Sequence, residues 1–341
     1  MKQVVLKQNV GIDISKNGFA VAFMYLLDNQ RVKIKGTRSF SNNEKGFSEF
    51  LNWCSKFQIK GLSLHFTMEA TGVYYEQLAY FLNQKRFIIH VVLPNMAKKF
   101  AQSYNQKIKT DKADAKVLAI MGIERNLRIW KPSSAIYRKL RALTRERELL
   151  IVERTKIKNQ LHSQEHSVNA ARTTIARMKE HIKYINKLLE KIEKELYKES
   201  KKDQLVWNKI EKIISIPGVS FITAITIIAE TQGFVNIRNI KQLISYAGYD
   251  VSIKESGKWK GKSRISKKGN SHIRRVLYMP AIVSVRYSEH FNNFYNRVNK
   301  NKVSTMIGAT AVQRKLLALI YTLWKNNTTY NEKIQNVKLV A

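Results

Sequence analysis

Val4-Val-Leu-Lys-Gln-Asn-Val-Gly-Ile-Asp-Ile-Ser-Lys16 is the stretch from which the chain is read. Val10, Ile12 and Ile14 recur at every second position, the period of a strand, and Asp13 stands among them. A carboxylate in such a strand loses hydration that a cation or donors must replace. Asp13 is therefore either a surface residue facing water or a group held for a ligand. Asn17-Gly18 is a tight-turn pair leading into a second apolar run, Phe19 to Leu27. A third strand is expected from Arg31 to Phe40, followed by a helix through Phe47, Phe50 and Leu51. Ser41 or Asn42 is its expected cap and Gly61 its breaker. Leu62 to Glu69 alternates again, and Ala70-Thr-Gly72 turns into a helix carrying Leu78, Phe81 and Leu82. Phe87 to Leu93 reads as a short strand closed by Pro94. Three meandering strands, then alternating helix and strand, suit a ribonuclease-H-like mixed α/β sheet; other α/β folds share this order.

With 341 residues, 44% of them hydrophobic, the chain can hold two or three modules with a real core. Lys and Arg number 61 against 25 acids, a net charge of +36. Such an excess repels itself unless a polyanion neutralises it, so nucleic acid is the expected partner. The sequence offers no 18-residue apolar run, signal peptide or basic amphipathic anchor, and the expectation is a cytoplasmic protein with no membrane partner. Cys54 is the lone cysteine, so neither an internal disulfide nor a cysteine zinc site can form. Beside Trp53 it reads as a small buried hydrophobe.

Between Ser133 and Ile216 there is no glycine or proline, which demands long helices. Ile175, Met178, Ile182, Ile185, Leu189, Ile192 and Leu196 form a heptad seam, and Leu140, Leu143, Leu150, Ile157 and Leu161 a weaker stripe. A helical hairpin and a kinked long helix both fit, as do intramolecular and homo-oligomeric pairing. Further on, Ile213 to Glu230 reads helix, Pro-Gly turn, helix. This is either an ordinary hairpin or a helix-hairpin-helix-like element whose amides hold a phosphate. The division is 1–130 for the α/β domain, 131–206 for a coiled-coil segment, 207–328 for a mostly helical domain and 329–341 for a tail. Residues 251–275 carry nine Lys or Arg against one acid.

Glu69 ends its strand just before Gly72, where a side chain can project from the sheet rim. Lys109-Thr-Asp-Lys-Ala-Asp-Ala115 places Asp111 and Asp114 on one helix face, with Thr110 as cap. Lys109 and Lys112 could simply neutralise them. Alternatively, these hard oxygens hold Mg2+ with phosphate completing the shell, as two-metal phosphodiester chemistry uses it.

Gly11-Ile-Asp-Ile-Ser-Lys16, Met68-Glu-Ala-Thr-Gly-Val-Tyr74 and Lys109 to Ala115 resemble the DEDD-type insertion-sequence transposases, whose first domain is similar to the Holliday-junction nuclease RuvC. The resemblance continues in Ile216-Pro-Gly-Val, Tyr246-Ala-Gly-Tyr, Ser256-Gly, Ile265-Ser-Lys-Lys-Gly269 and Ile273-Arg274, and so spans Val10 to Trp324. It implies a transposase or site-specific DNA recombinase, with some members guided by a structured bridge RNA. Asp13, Glu69, Asp111 and Asp114 would be the metal-binding tetrad for Mg2+, with Mn2+ as alternative. Ser256 would be the nucleophile that holds the DNA end as a covalent ester, with Ser263 and Ser266 as competitors. The resemblance further implies a dimer or tetramer that assembles its site from different subunits.

Around the serine, Lys258, Lys260, Lys262 and Arg264 would offset phosphate charge. Trp259, an indole with little else to pack on, together with Lys267, Lys268 and Arg274, would contact nucleic acid. His162 and His166 are four apart but lack a third ligand and are expected to face solvent. Tyr74 and Tyr75 could stack on a base or pack in the core. Two rival functions are a hydrolytic junction nuclease, in which water attacks, and a non-catalytic basic nucleic-acid binder.

Overall fold

The computed structural model describes residues 4–104, 110–253, 255–257, 259–261 and 263–331, which fall into two compact units, Met1–Pro132 and Ser133–Ala341. The first unit is built on strands β1 (Val5–Ile14), β2 (Gly18–Leu27) and β3 (Val32–Ser41), helix α1 (Glu44–Ser55), strand β4 (Leu64–Glu69), helix α2 (Glu76–Gln84), strand β5 (Ile88–Val92) and helices α3 (Pro94–Ser103) and α4 (Asp111–Glu124). The five strands form one mixed sheet in the order β3-β2-β1-β4-β5. β1 to β3 meander antiparallel, while β4 and β5 run parallel to β1. A mixed α/β sheet followed by helices is the architecture expected from the sequence.

β1 sits at the centre because both of its faces can be covered. Val10, Ile12 and Ile14 join an aromatic core with Phe23, Phe50, Phe66 and Leu78. The opposite face carries Asn9, Gly11 and Asp13, and α4 lies against it. That approach depends on Gly11: a Cβ there would stand 2.1 Å from the Ala115 carbonyl oxygen and 2.2 Å from the Ala119 amide nitrogen. Gly122 repeats the device, since its Cβ would meet Thr67 Oγ1 at 2.1 Å. Buried Asn9 donates to the Ala119 carbonyl at 2.8 Å and accepts from Thr67 at 3.1 Å, so the close contact leaves its amide satisfied. Lys7 donates to the Gly122 carbonyl at 2.7 Å, placing a cation at the helix C-terminus.

Three local expectations are corrected. α1 is capped by Asn43, whose side chain accepts from the Gly46 amide, and neither by Ser41 nor by Asn42. The helix ends at Ser55, well before Gly61, which takes φ +85° in the following loop. Pro94 does more than close β5: it opens α3, where the missing amide of a first-turn proline is no loss.

The second unit begins with α5 (Ala135–Glu165) and α6 (Arg172–Ser200). They form a hairpin: Ile157 packs with Ile185 and Leu189, and Arg147 pairs with Glu193 at 2.7 Å. The heptad seam is thus satisfied within the chain. α7 (Gln204–Ile214), α8 (Phe221–Thr231) and α9 (Ile240–Ala247) follow. Next come four two-residue strands, β6 (Val251–Ser252), β7 (Glu255–Ser256), β8 (Trp259–Lys260) and β9 (Arg264–Ile265). Helices α10 (Ser271–Val276), α11 (Tyr278–Tyr287), α12 (Glu289–Asn299) and α13 (Met306–Asn326) complete it. One core unites Leu140, Leu143, Ile192 and Leu196 of the hairpin with Ile210, Ile227, Leu243, Leu277 and Leu316. The Pro217-Gly218 turn is packed on α11, with Ser284 Oγ donating to the Pro217 carbonyl at 2.5 Å. A Cβ on Gly218 would meet the Pro280 carbonyl at 2.8 Å. Of the expected tail, 332–341 lies outside the described residues. Cys54 is buried, and burial pushes its thiol pKa up.

Candidate functional site

Asp13 is the last inward residue of β1 on the α4 side, and Glu69 the last residue of β4. Ile12 pairs with Met68, so the two acids occupy the next rung of neighbouring parallel strands, which lie about 4.8 Å apart. Asp111 and Asp114 occupy the first turn of α4, capped by Thr110, whose side chain accepts from the Ala113 amide. Because the Gly11 contact presses α4 onto β1, that first turn arrives at the end of the sheet that carries Asp13 and Glu69. Asp13, Glu69 and Asp114 line one cleft of about 450 Å³, with Lys98 and Gln102 of α3 on its wall. Asp111 is exposed, one helical turn ahead of Asp114.

The acids feel one another. Burial first, then the charges of Asp114, Asp111 and Glu69, raise the Asp13 pKa from 3.8 to about 6, against one backbone hydrogen bond from Ile14 that lowers it. Among the described residues no lysine or arginine figures in the groups acting on it. Lys112, the proposed neutraliser, is exposed, and Lys109 lies outside the described residues. Thr71 donates to Glu69 Oε1 at 3.2 Å.

The donor set is all oxygen, carries excess negative charge and faces an open cleft, which fits a hard divalent cation. Among the described residues no three of His, Cys, Asp or Glu are gathered tightly enough to enclose an ion by themselves. Mg2+ tolerates this, since it keeps waters and substrate phosphates in its shell and takes only one or two protein carboxylates.

Ser256 lies in the second unit, on an arm spanning Val251 to Ile265. Val251 pairs with Ile265 at the base, and Ser256 pairs with Trp259 beside the tip. Gly257, at φ +56°, makes the reversal possible. Ser256 is exposed, and Trp259 is 60% exposed, as its sequence setting suggested. Arg264, Lys267 and Lys268 are exposed as well. Lys258 and Lys262, and the side chain of Lys260, lie outside the described residues. Arg274 is occupied differently: its Nη1 donates to the Ala247 carbonyl at 2.7 Å and to the Asn270 carbonyl at 3.3 Å. Of the competing serines, Ser266 donates to Asp250 at 2.6 Å and accepts from the Lys268 amide at 3.2 Å. Ser263 is exposed on the arm. His162 and His166 lie with ring centroids 4.2 Å apart, both exposed. Tyr74 is 42% exposed, whereas Tyr75 packs against the aromatic core.

Sequence reasoning missed α3, and with it Lys98 and Gln102. The available signal was Pro94, which starts a helix as readily as it stops a strand. It also passed over Glu230, noted only as the end of an apolar run.

Residues 10–166 match a family described as "Transposase", the DEDD group of IS110, and residues 210–296 match "Transposase IS116/IS110/IS902 family". Together the two matches cover most of the chain. The chain belongs to the IS110 family of transposases. A "Pilin gene-inverting protein" of Moraxella bovis is 28% identical over 331 residues, covering 96% of the transposase and 99% of the relative. The "Transposase for insertion sequence element IS1328" of Yersinia enterocolitica is 22% identical over 359 residues, covering 95% of this chain and 98% of that one. The crystal structure of an Aquifex aeolicus member of the Ppx/GppA family aligns over 95% of this chain and 92% of that one at 9% identity, with a TM-score of 0.22. The transposase is a DNA recombination enzyme, and among its described residues no helix is long and apolar enough to cross a membrane.

Proposed function

We propose that the transposase cuts and rejoins DNA by metal-assisted phosphoryl transfer, with Ser256 holding the DNA end as a phosphoserine ester. The observation that carries this reading is the convergence of Asp13, Glu69 and Asp114 on one cleft, with Asp111 adding its charge. Burial, and then the charges of the neighbouring acids, raise the Asp13 pKa to about 6, a cost that a bound cation would offset. Asp13, Glu69 and Asp114 would share Mg2+ or Mn2+, one or two carboxylates to an ion, with waters and substrate phosphates completing the shell. Such ions neutralise charge on a transferring phosphate and stabilise attacking and leaving oxygens. This chemistry on a mixed sheet is the ribonuclease-H-like reading of the first unit.

Ser256 is the serine this reading assigns as nucleophile, because it is exposed near the tip of a basic arm while Ser266 is committed to Asp250 and the Lys268 amide. Its Oγ loses a proton and bonds to phosphorus as the bond to the sugar oxygen breaks, and that oxygen gains a proton. The phosphodiester energy is kept in the ester, so rejoining needs no external source. Arg264, Lys267 and Lys268 hold neighbouring phosphates and Trp259 offers a stacking surface. We further propose a homo-oligomer, dimer or tetramer, in which one subunit's serine serves another's acids. A structured bridge RNA as guide is supported by the +36 charge and by the family motifs. DNA inversion, which the Moraxella relatives' name describes, belongs to the same class of strand exchange.

Incubation with a nicked DNA end, followed by denaturing electrophoresis, tests the serine. The unaltered protein and Ser263→Ala should trap a covalent protein–DNA adduct, and Ser256→Ala should not. An adduct with Ser256→Ala, or cleavage without any adduct, overturns the reading and favours the hydrolytic nuclease. Sequencing of RNA that co-purifies tests the guide.

A further inference from the structure

Glu230 is 2% exposed in the last turn of α8, where the helix dipole also disfavours a carboxylate. Its charge is met by the Arg145 fork of α5, Nε to Oε1 at 2.7 Å and Nη2 to Oε2 at 3.0 Å, and by Asn270 Nδ2 at 2.6 Å. Burial alone would raise the Glu230 pKa; these two partners hold it lowered. The Glu230 carbonyl accepts from Tyr246 at 3.0 Å. One turn further along α5, Glu148 accepts from His272 and Arg275.

Tyr246 and Asn270 are the two ends of the segment that carries the Ser256 arm. The Asn270 amide donates to the Tyr246 carbonyl at 2.8 Å, the Lys267 amide to Gly248 at 3.1 Å and the Ser266 amide to Asp250 at 2.7 Å, which closes the foot of the arm. The arm itself has four two-residue strands, with Val251, Ser252, Glu255 and Ser256 all exposed. With so little packed surface of its own, its direction is set by its foot.

We propose that Glu230, gripped by Arg145 and bonded to Asn270, is a positioning residue: it fixes the foot of the arm to α5 and thereby aims Ser256. The inference rests on the serine reading above. A nucleophile displaced by about 1 Å loses on the order of 100-fold in rate, so loosening the foot should be felt in turnover without being felt in binding.

Two variants of the full-length protein test it. Glu230→Gln keeps the shape and removes the charge; Asn270→Ser keeps the α10 cap but is too short to reach Glu230. Each should slow adduct formation about tenfold or more with KM nearly unchanged, and should speed amide hydrogen exchange across 251–265. Asn270→Ser, which leaves the Arg145–Glu230 pair intact, should do so with its melting temperature nearly unchanged and α5 and α8 exchanging as before. Glu230→Gln also strips Arg145 of its buried partner and should melt lower. Unchanged exchange of the arm in both variants overturns the proposal, as does a loss confined to KM. Should Glu230→Gln fail to fold, Asn270→Ser carries the same test. Ser256→Ala separates the two readings: it should exchange like the unaltered protein and form no adduct. If it still forms the adduct while Glu230→Gln loosens the arm, the serine reading falls and the bracing stands.

Discussion

Replacing Asp13 by Asn should stabilise the metal-free transposase while abolishing strand transfer. The Asp13 pKa lies at about 6 against an ordinary 3.8, so the fold favours its protonated form. Stability from this group is fully present below pH 3.8 and lost as pH rises through about 6. At about 1.4 kcal/mol per pH unit the ionised carboxylate costs up to about 3 kcal/mol at neutral pH. Asp13 keeps some contact with water, and screening reduces this to about 1.5 kcal/mol. Asn retains the shape and the acceptor for the Ile14 amide but carries no charge. In a unit of this size that gain amounts to about 5 °C in melting temperature. Thermal unfolding in chelator at pH 7.5 should therefore place Asp13→Asn above the unaltered protein, with the gap closing toward pH 4. Added Mg2+ should raise the melting point of the unaltered protein and do little for the variant. A variant that melts at or below the unaltered protein at pH 7.5, or a gap that does not depend on pH, refutes the electrostatic reasoning.

Gly11→Ala should cost about 3 kcal/mol, read by urea unfolding, because the new methyl meets helix backbone that cannot rotate away, and transfer should fail as α4 lifts its two acids. Changing Lys267 and Lys268 together to Ala should lower the slope of log affinity against log salt by about two, weakening all DNA sequences alike. Trp259→Ala should cost about 1–3 kcal/mol in binding to single strands while leaving that slope unchanged.

Much of the first unit was legible because each strand has at least one buried face and the turns carry their own chemistry. Alternation gave β1 and β4 and the apolar run after the Asn17-Gly18 turn gave β2, each to within a few residues, and Thr110 with Asp111 and Asp114 announced the start of α4. The misplaced cap of α1 shows the limit: Ser41, Asn42 and Asn43 are all capping residues, but Ser41 is paired with Gly18 in the sheet and the Asn42 side chain donates to the Ser15 and Tyr74 carbonyls, which leaves Asn43 to cap. Pro94 was ambiguous for a similar reason. Its ring forbids a strand amide and suits a helix start equally, and the packing of Ala97 and Phe100 against α4 decides the matter. Glu230 gave no signal at all, since its partners Arg145 and Asn270 lie 85 and 40 residues away.

The sequence by itself determined most of the elements, though not α3, and a polyanion as the class of partner, because period, capping and net charge are local or additive properties; the grouping of the acids came from the family resemblance. Only the tertiary structure decided that α4 can lie flush on β1 through Gly11, that the heptad seam closes on its own chain, and that the serine arm stands on a buried carboxylate. Those are outcomes of contact between distant segments, where a missing Cβ or a reachable guanidinium matters only once the chain has brought its partner within about 3 Å.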